Sequence, residues 1–565
     1  MICAIQYTKK YIKLNQHLNF KRLKQKLKIT FSNILLTVCF LVLFAGCYKK
    51  DFNQLKLANA TPEYLYPLID AELSLKDIID PNKRQLNITE DADGFYTFIY
   101  YQDLFEQYIT DLLKIADIVV NQTVSLTATE VNTLRNAGTV SHTFTNSFTL
   151  NTSNGEQLKH IVVKSGSIPF NISSTFKHNI QLTVTFPYIT QNGIPLSQTI
   201  AVNYTGTSPV ISNSTIDLSG YTIDCSQNGT KVNTLSYSAL LKVNFIAGNT
   251  ASTTQKIDIT TGISGITYSY ADGYIGQYSL SVPQDSVAID IFDNAYAGNI
   301  YFTDPQVRAI IDNSIGAASS VKINQLVTQS QITGTTPITG SLINTNIPIN
   351  YPSTSQVGQA ESTTIQLDKT NSNVQTVFNP APNKVIYQMS AILNPSGVST
   401  NFVTDSSKIK IRGEVEIPME GKVTKFVLLD TIKGISYPDI TISGKQVTIT
   451  KAGFNIALSN GFPMNSNIQM YFLDDANNII DSLFSGPHFI TSAPVDATGK
   501  VTQSTDVFIQ EMFDEARYKR VTTSTKAVLY AFFSTVNNGT VPVKIYSSYK
   551  IKSNISIDVK ANVSF

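Results

Sequence analysis

The sequence predicts an all-β protein, built from tandem β-sandwich modules with a small mixed α/β cap near the N-terminus. Composition, strand-like alternation and an internal repeat support this prediction. Of the 565 residues, 42% are hydrophobic and 15% are charged, and the mean hydropathy is −0.01. These values are typical of a folded chain with several domains, and they exclude both a disordered protein and a polytopic helical membrane protein.

The residue types favour strands over helices. The chain has 27 Tyr and 29 Phe but no Trp, and it is rich in Ile, Val, Thr, Ser and Asn, which suit pleated strands and turns. Apolar residues also alternate with polar ones along the chain, as where Ile180, Leu182 and Val184 alternate with Gln181 and Thr183. A period of two indicates a strand with one buried face, and such a face requires a second sheet to cover it.

An internal repeat divides most of the chain into three parts. Three kinds of segment recur in the same order: a strand after an Asn/Ser-rich turn, a strand that begins with Ser-Thr, and a long strand that ends at a turn glycine. Matching anchors lie 141 to 149 residues apart: Ile180, Val321 and Ile468; Thr215, Thr363 and Thr505; Gly248, Gly397 and Gly539. This period predicts three β-sandwich modules, at residues 141–295, 296–440 and 441–565.

The order of segments within a copy resembles the water-stress or LEA type 2 domains. In the second copy it runs from Ser362-Thr363 through the polar stretch Asp368–Asn373 to a long strand from Tyr387 and a turn at Gly397. The resemblance implies a small β-sandwich in each copy. It implies a fold without catalytic residues, so function must be argued from particular sites.

Residues 47–140 differ from the repeats and are predicted to form a tether and a small mixed cap on the first sandwich. The apolar spacing within Leu65–Ile79 and Tyr101–Leu113 is compatible with helices. Between these segments, Asp93-Gly94 predicts a turn, and Phe95–Tyr100 predicts the strand that follows it.

Residues 1–46 are predicted to be a lipoprotein signal peptide. They contain eight basic residues, no acidic residue and an apolar run at 34–44 that is too short to span a bilayer. Ala45-Gly46-Cys47 follows directly. This arrangement resembles the lipobox of bacterial outer-membrane lipoprotein precursors, which implies cleavage before Cys47 and acylation of its thiol. Because Tyr48 rather than Asp follows Cys47, the resemblance also implies sorting to the outer membrane, where several acyl chains give stable attachment.

Removal of the signal reverses the sign of the net charge. The whole chain has 43 basic and 41 acidic residues, and loss of the eight basic residues leaves 35 against 41, a net charge of about −6. Without blocks of Lys and Arg, the sequence predicts no electrostatic binding to nucleic acid or to anionic lipid. The expected partners are the membrane, reached through acylated Cys47, and an envelope protein, glycan or lipid that the sequence does not identify.

The sequence predicts no catalytic residues, no cofactor and no metal site. Glycine loops for nucleotides and the GxSxG nucleophile motif do not occur. The four His residues that follow the signal are too far apart in sequence for a local zinc site. The acidic clusters at 90–94 and 474–478 are interpreted as hairpin turns, and Ser-x-x-Lys pairs as solvated strand faces. Cys225 is interpreted as a small packed residue.

These observations predict a non-enzymatic, lipid-anchored protein of the cell envelope that acts as a structural or binding scaffold. One open alternative is a glycan- or lipid-binding surface lipoprotein, which would need an apolar groove or an exposed aromatic platform. Tyr268, Tyr270 and Tyr274 are candidates for that platform, although half-buried strand tyrosines are the simpler interpretation. Another alternative is a hydrolase with close carboxylates between modules. Either face of the outer membrane, cell surface or periplasm, fits the sequence.

Overall fold

The fold consists almost entirely of antiparallel strands. A computed structural model describes residues 63–78, 86–289, 295–433, 441–442 and 445–563. Strands pair in five antiparallel sheets, and the helices are few and short. The predicted all-β fold with β-sandwich modules is therefore confirmed.

Thirty-two strands lie in the described residues. The first twelve are β1 (Glu63–Ser74), β2 (Leu86–Glu90), β3 (Tyr96–Tyr108), β4 (Ile118–Ser125), β5 (Thr139–Thr149), β6 (Gln157–Ser174), β7 (Asn179–Gln191), β8 (Ile194–Val202), β9 (Val210–Asp217), β10 (Thr222–Asp224), β11 (Thr234–Asn244) and β12 (Lys256–Tyr274). The next ten are β13 (Tyr278–Ala288), β14 (Ala295–Phe302), β15 (Gln306–Asn313), β16 (Ser319–Ser330), β17 (Gly334–Pro337), β18 (Asn346–Ile349), β19 (Glu361–Leu367), β20 (Lys384–Leu393), β21 (Asn401–Thr404) and β22 (Lys408–Pro418). The last ten are β23 (Glu420–Lys433), β24 (Thr441–Ile442), β25 (Lys445–Asn460), β26 (Met464–Leu473), β27 (Ile479–Ser482), β28 (His488–Ile490), β29 (Thr505–Asp514), β30 (Lys526–Thr535), β31 (Val543–Lys544) and β32 (Lys550–Val563).

The α-helices of the described residues are α1 (Leu75–Ile78), α2 (Ala128–Ala137), α3 (Val374–Val377) and α4 (Glu515–Val521), and Val536–Gly539 form a turn with left-handed backbone at Asn537 and Asn538. The longest, α2, has a Thr127 cap whose side chain accepts from the Glu130 amide, while the Glu130 carboxylate accepts from the Thr127 amide. This capping box satisfies amides that the first helical turn leaves unpaired.

The strands form three sandwiches, here called modules 1 to 3, with one shared strand order. The first layer is β9-β6-β12-β4 in module 1, β19-β15-β22-β3 in module 2 and β29-β25-β32-β1 in module 3. The second layer is β8-β7-β11-β5 in module 1. In module 2 the order is β13-β20-β16, and both β17 and β18 pair with the other edge of β16. In module 3 the order is β23-β30-β26, and both β27 and β28 pair with the other edge of β26. In module 1 the short β10 pairs with both β6 and β7, so the two layers belong to one sheet.

The anchors of the sequence repeat occupy corresponding strands in this order. Ile180, Val321 and Ile468 lie on β7, β16 and β26. Thr215, Thr363 and Thr505 lie on β9, β19 and β29, and the three anchor glycines lie beyond the ends of β11, β20 and β30. Equivalent positions of the repeat therefore occupy equivalent places in the three sandwiches.

The N-terminal region differs from the predicted cap. Its described strands are distributed over all three modules: β1 pairs with β32, the β2-β3 hairpin joins β22, and β4 pairs with β12. The segments with helix-compatible spacing are mainly strands. The sequence did not reveal this, because the strands that pair with them lie far away in the chain and local spacing carries no sign of them. Pro67 argues against a helix, since proline is unfavourable inside one, and the register of β1 with β32 shifts between Pro67 and Ile69. The turn before Phe95 and the strand that follows are as predicted.

The modules share strands in a nested order. After β13 of module 2, β14 pairs with β23 of module 3, and the chain then returns to module 2 for β15 to β20. Next, β21 pairs with β12 of module 1, and β22 returns to module 2. The sheets therefore do not follow the boundaries predicted at residues 296 and 441. Separating the modules would therefore require breaking the hydrogen bonds between paired strands, in addition to separating packed surfaces.

Buried polar groups and rings fasten each module to the next. Between modules 1 and 2, the fully buried Asn394 amide donates to the carbonyl of Gly276 at 3.1 Å. Between modules 2 and 3, the Ser547 amide donates to the carbonyl of Gly94 at 2.8 Å, and the Phe95 and Tyr546 rings lie 5.6 Å apart. Module 2 is thus connected to both others.

One apolar core runs through modules 1 and 2 into the end of module 3 that contacts module 2, where it includes Phe462, Tyr546 and Tyr549. Among the side chains that the structure describes, the rest of module 3 has two smaller clusters, one around Phe472 and another around Phe484.

Candidate functional site

The predicted lipidation residue, Cys47, lies outside the described residues. Cys225, the thiol of module 1, is fully buried at the end of β10. Burial and the nearby carboxylates of Asp224 and Asp272 raise the pKa of the Cys225 thiol far above its ordinary value. A buried neutral thiol is a poor nucleophile, and this placement agrees with the packed role that the sequence predicts.

The candidate tyrosines on β12 do not form an exposed platform. Tyr268 is buried, and its hydroxyl donates to the carbonyl of Leu113. The half-buried Tyr270 ring stacks on Phe402 of β21, with centroids 6.4 Å apart, and its hydroxyl donates to Asp272. Burial and the Asp272 carboxylate raise the pKa of Tyr270 to about 12. The Tyr270 ring therefore packs module 1 against β21.

The two acidic clusters are turns. Asp91 accepts from the amides of Asp93 and Phe95, and Asp474 accepts from the amide of Asn478 at 2.8 Å. These carboxylates satisfy amides of their own loops, as Asx turns do. Across the described ranges, no group of three or more His, Cys, Asp and Glu side chains is arranged to hold a metal ion.

Three neighbouring strands bring together a polar group that the sequence did not predict. Asp224 of β10 and Asp272 of β12 both lie opposite His160 of β6. The imidazole Nδ1 is 3.0 Å from a carboxylate oxygen of Asp272, and Nε2 is 3.7 Å from Asp224. Burial opposes the charge on Asp224, but Ser226, the Asn228 amide and His160 together hold its pKa below the ordinary value.

This group links three strands. The imidazole is 47% exposed and contacts both carboxylates, so side chains connect β6 to β10 and to β12. The neighbouring Cys225 is buried with a raised pKa and is thus unsuited to attack. The arrangement is a polar surface cluster, and its members are too distant from one another in sequence for a local motif to reveal it.

A second polar group lies in module 3. Glu511 is nearly buried; its carboxylate accepts from the Ser485 amide at 3.1 Å and is 3.2 Å from His488 Nε2 and 3.6 Å from Arg517. Burial alone would raise the pKa of Glu511, but Ser485, His488 and Arg517 outweigh it and hold the pKa below the ordinary value. Arg517 also contacts Asp481, at 3.3 Å. The network fastens α4 to the loop between β27 and β28.

Module 3 exposes a row of rings on the outside of its second layer. We call this the outer aromatic face and define it by Tyr471 of β26, Phe489 of β28, and Tyr530 and Phe532 of β30. Phe489 and Phe532 both lie opposite Asn467, on the side of β26 that bears Tyr471. Phe489 is 53% exposed and Phe532 is 42% exposed.

The rings of this face contact one another. The centroids of Tyr530 and Phe532 lie 5.6 Å apart, and those of Tyr471 and Tyr530 lie 6.3 Å apart at nearly a right angle. At the end of β26, Leu473 lies opposite Ile479 of β27, which is 63% exposed. Exposed apolar groups that adjoin in this way are typical of an interaction surface.

The other two modules lack such a face at matching positions. Matching is defined by the residues that lie opposite the repeat anchors: Ala531 opposite Ile468, Ala391 opposite Val321 and Val243 opposite Ile180. Polar residues replace the tyrosines: Ser390 and Lys242 for Tyr530, and Asn324 and Thr183 for Tyr471. The sequence signal was the unbroken apolar run at 527–533, where a strand with one wet face would alternate.

Comparisons with known proteins identify no family. No family model matches the chain, and no curated protein matches it. A candidate secreted protein of Parabacteroides distasonis shares 12% identity over 50% of this chain and 82% of its own, with a TM-score of 0.26. The Bacillus thuringiensis delta-endotoxin Cry8Ea1 shares 11% identity over 54% and 60%, with a TM-score of 0.14. The VP2 subviral particle of infectious bursal disease virus shares 8% over 80% and 81%, with a TM-score of 0.11.

The helices of the described residues all fall short of the length and apolar character needed to cross a membrane.

Proposed function

We propose that this protein is a non-enzymatic lipoprotein of the bacterial envelope, anchored in the outer membrane through acylated Cys47. Its three interlocked sandwiches act as a structural or binding scaffold. The observation behind this proposal is the position of β1, which begins 16 residues after Cys47 and pairs with β32 of module 3. The anchor would therefore connect to a folded sheet within a short distance.

The place of attachment follows from the pairing of β1. Glu63, its first residue, lies opposite Lys560 and within 4.0 Å of Lys451. These residues lie at the end of module 3 that is remote from module 2, since β32 begins next to module 2 and runs away from it. The intervening segment 48–62 can span at most about 50 Å when fully extended. Module 3, although last in sequence, would be the module attached to the anchor, and module 1 would be farthest from the attachment point along the molecule.

The nested strands support a scaffold rather than a string of independent domains. Because β14 and β21 each belong to a module other than that of their sequence neighbours, a load on one module passes to the next through paired backbone. The burial of the Cys225 thiol supports a non-enzymatic role, because this candidate nucleophile is kept away from the surface.

The test is metabolic labelling with an alkyne analogue of palmitate. The wild-type chain is expected to take up the label and to sediment with membranes, whereas Cys47→Ala should lose the label and leave the membrane fraction. Cys225→Ala is the matched control, because that thiol is buried and should not be acylated. A Cys47→Ala chain that keeps both label and membrane association would overturn the proposal. Protease treatment of intact and permeabilised cells then distinguishes the cell surface from the periplasm.

A further inference from the structure

We infer that the outer aromatic face of module 3 lies on the surface of the lipid bilayer into which Cys47 is anchored. This inference rests on the proposed lipid anchor. It assigns the module a second contact with the membrane, made by side chains instead of acyl groups. Three observations support it: the position of the face relative to the anchor, its chemistry, and its restriction to module 3.

The face and the start of β1 extend from the same end of module 3. Glu63 lies near Lys451, and Lys451 lies opposite Asp514, the residue before α4. Arg517 of α4 pairs with Asp481 of β27. Asp481 in turn lies opposite Phe472 of β26, next to Tyr471. The segment that leads to Cys47 therefore leaves module 3 beside the end of the outer aromatic face.

The length of that segment allows the module to lie flat. From Leu473 to Asn467 the face covers six residue steps of β26, which is about 20 Å along a strand. Fifteen residues separate Cys47 from Glu63, and they can span about 50 Å when extended. The anchor can therefore insert beneath any part of the face.

The chemistry of the face suits a bilayer boundary. Phe489 and Phe532 are apolar, and the hydroxyls of Tyr471 and Tyr530 can stay hydrated while their rings enter the headgroup region. A sugar site would need several convergent polar groups beside the rings. Asn467 is the exposed amide within this row, and Gln469 is instead buried and donates to the carbonyl of Phe484. A lipid surface therefore fits better than a glycan.

Depth-dependent quenching tests the inference on the full acylated chain. Because the protein has no Trp, Phe532→Trp gives a single reporter on the face, and Phe489→Trp gives a second in case the first fails to fold. Leu240→Trp is the matched control, since Leu240 on β11 of module 1 is 41% exposed, close to the 42% of Phe532. Each variant is reconstituted in phosphatidylethanolamine and phosphatidylglycerol vesicles, with and without brominated acyl chains, and vesicle flotation is measured in parallel.

Brominated lipid is expected to lower the fluorescence of the two face reporters about twofold and to leave Leu240→Trp unchanged. Face reporters as unquenched as Leu240→Trp in chains that float would overturn the inference while the anchor stands. If those chains sediment as a dimer, the face is assigned to contact with a second copy. If they bind to an oligosaccharide array, the face is assigned to a glycan. Chains that mass spectrometry shows to be unacylated and that do not float would overturn the anchor, and the inference with it.

Discussion

Glu63 in the first strand of the protein lies directly opposite Lys560 in the last, 497 residues further along the chain. The same pattern recurs inward: Tyr101 lies opposite Glu414 in module 2, and Val119 lies opposite Gly262 in module 1. The described N-terminal strands thus complete the modules in reverse order, from the third to the first. A chain arranged in this way completes module 3 only after its last strand has been made.

Gly262 provides a test of the innermost of these pairings. A Cβ atom at this position would overlap the carbonyl oxygen of Ile118 on β4. We expect Gly262→Ala to lower the free energy of unfolding by about 2 to 3 kcal/mol, because backbone atoms must move to relieve the overlap. Denaturant unfolding followed by circular dichroism measures the loss. Gly486→Ala is the control, since nothing lies within 4 Å of its Cβ position. Equal stabilities of the two variants would contradict the pairing of β4 with β12.

Cys225 should report the opening of module 1. Because burial raises the pKa of its thiol, we expect no alkylation by iodoacetamide at mildly alkaline pH in the native protein. Full alkylation is expected once urea unfolds the module, and peptide mass spectrometry distinguishes the two states. Lys231→Cys places a thiol on the exposed part of the same loop and should react at once. Rapid alkylation of native Cys225 would show that the β10 region is open.

The Glu511 network should make module 3 sensitive to acid. The pKa of Glu511 is lower in the folded chain than its ordinary value of 4.5, so the folded state binds protons less readily than the unfolded state. Its contribution to stability is therefore complete above about pH 4.5 and is lost as pH falls through the folded pKa. We expect thermal unfolding temperatures to fall below that pH, and to fall less steeply in Glu511→Gln. An unchanged slope in that variant would assign the acid sensitivity to other carboxylates.

The same network predicts the effect of removing a cation. Arg517→Met removes the cation that the partly buried Glu511 and Asp481 carboxylates share, although His488 and Arg520 remain beside them, and we expect a loss of about 2 kcal/mol in unfolding free energy. Lys519→Ala removes a cation from the same helix, but its pair with Glu515 is exposed and should matter little. Urea denaturation of both variants at neutral pH decides the point, and similar losses in the two would refute a structural role for the buried pair.

Local patterns in the sequence were sufficient for the fold class. Alternation at Ile180 and Leu182 predicts a one-sided strand, and both residues are fully buried on β7. They were not sufficient for Leu65–Ile79, because a strand whose partner lies almost 500 residues away shows no local sign of it. The nested order of β14 and β21 has the same cause.

The candidate surfaces were missed for different reasons. His160 meets Asp224 and Asp272 only because β6 lies between β10 and β12, which no spacing reveals. The outer aromatic face did leave a signal, since residues 527–533 are apolar without interruption, but such a run is equally typical of a strand buried on both sides. Only the sheet order shows that one side of β30 faces outward.

Hydrogen exchange of the full chain, followed by mass spectrometry, tests the nested arrangement most directly. Peptides from β1 are expected to exchange in step with those from β32, and peptides from β3 in step with β22, because each pair shares its hydrogen bonds. Peptides from β21 should follow β12 of module 1 rather than the neighbouring β22. Exchange of residues 63–74 as fast as in an unstructured segment, with β32 still protected, would contradict the account.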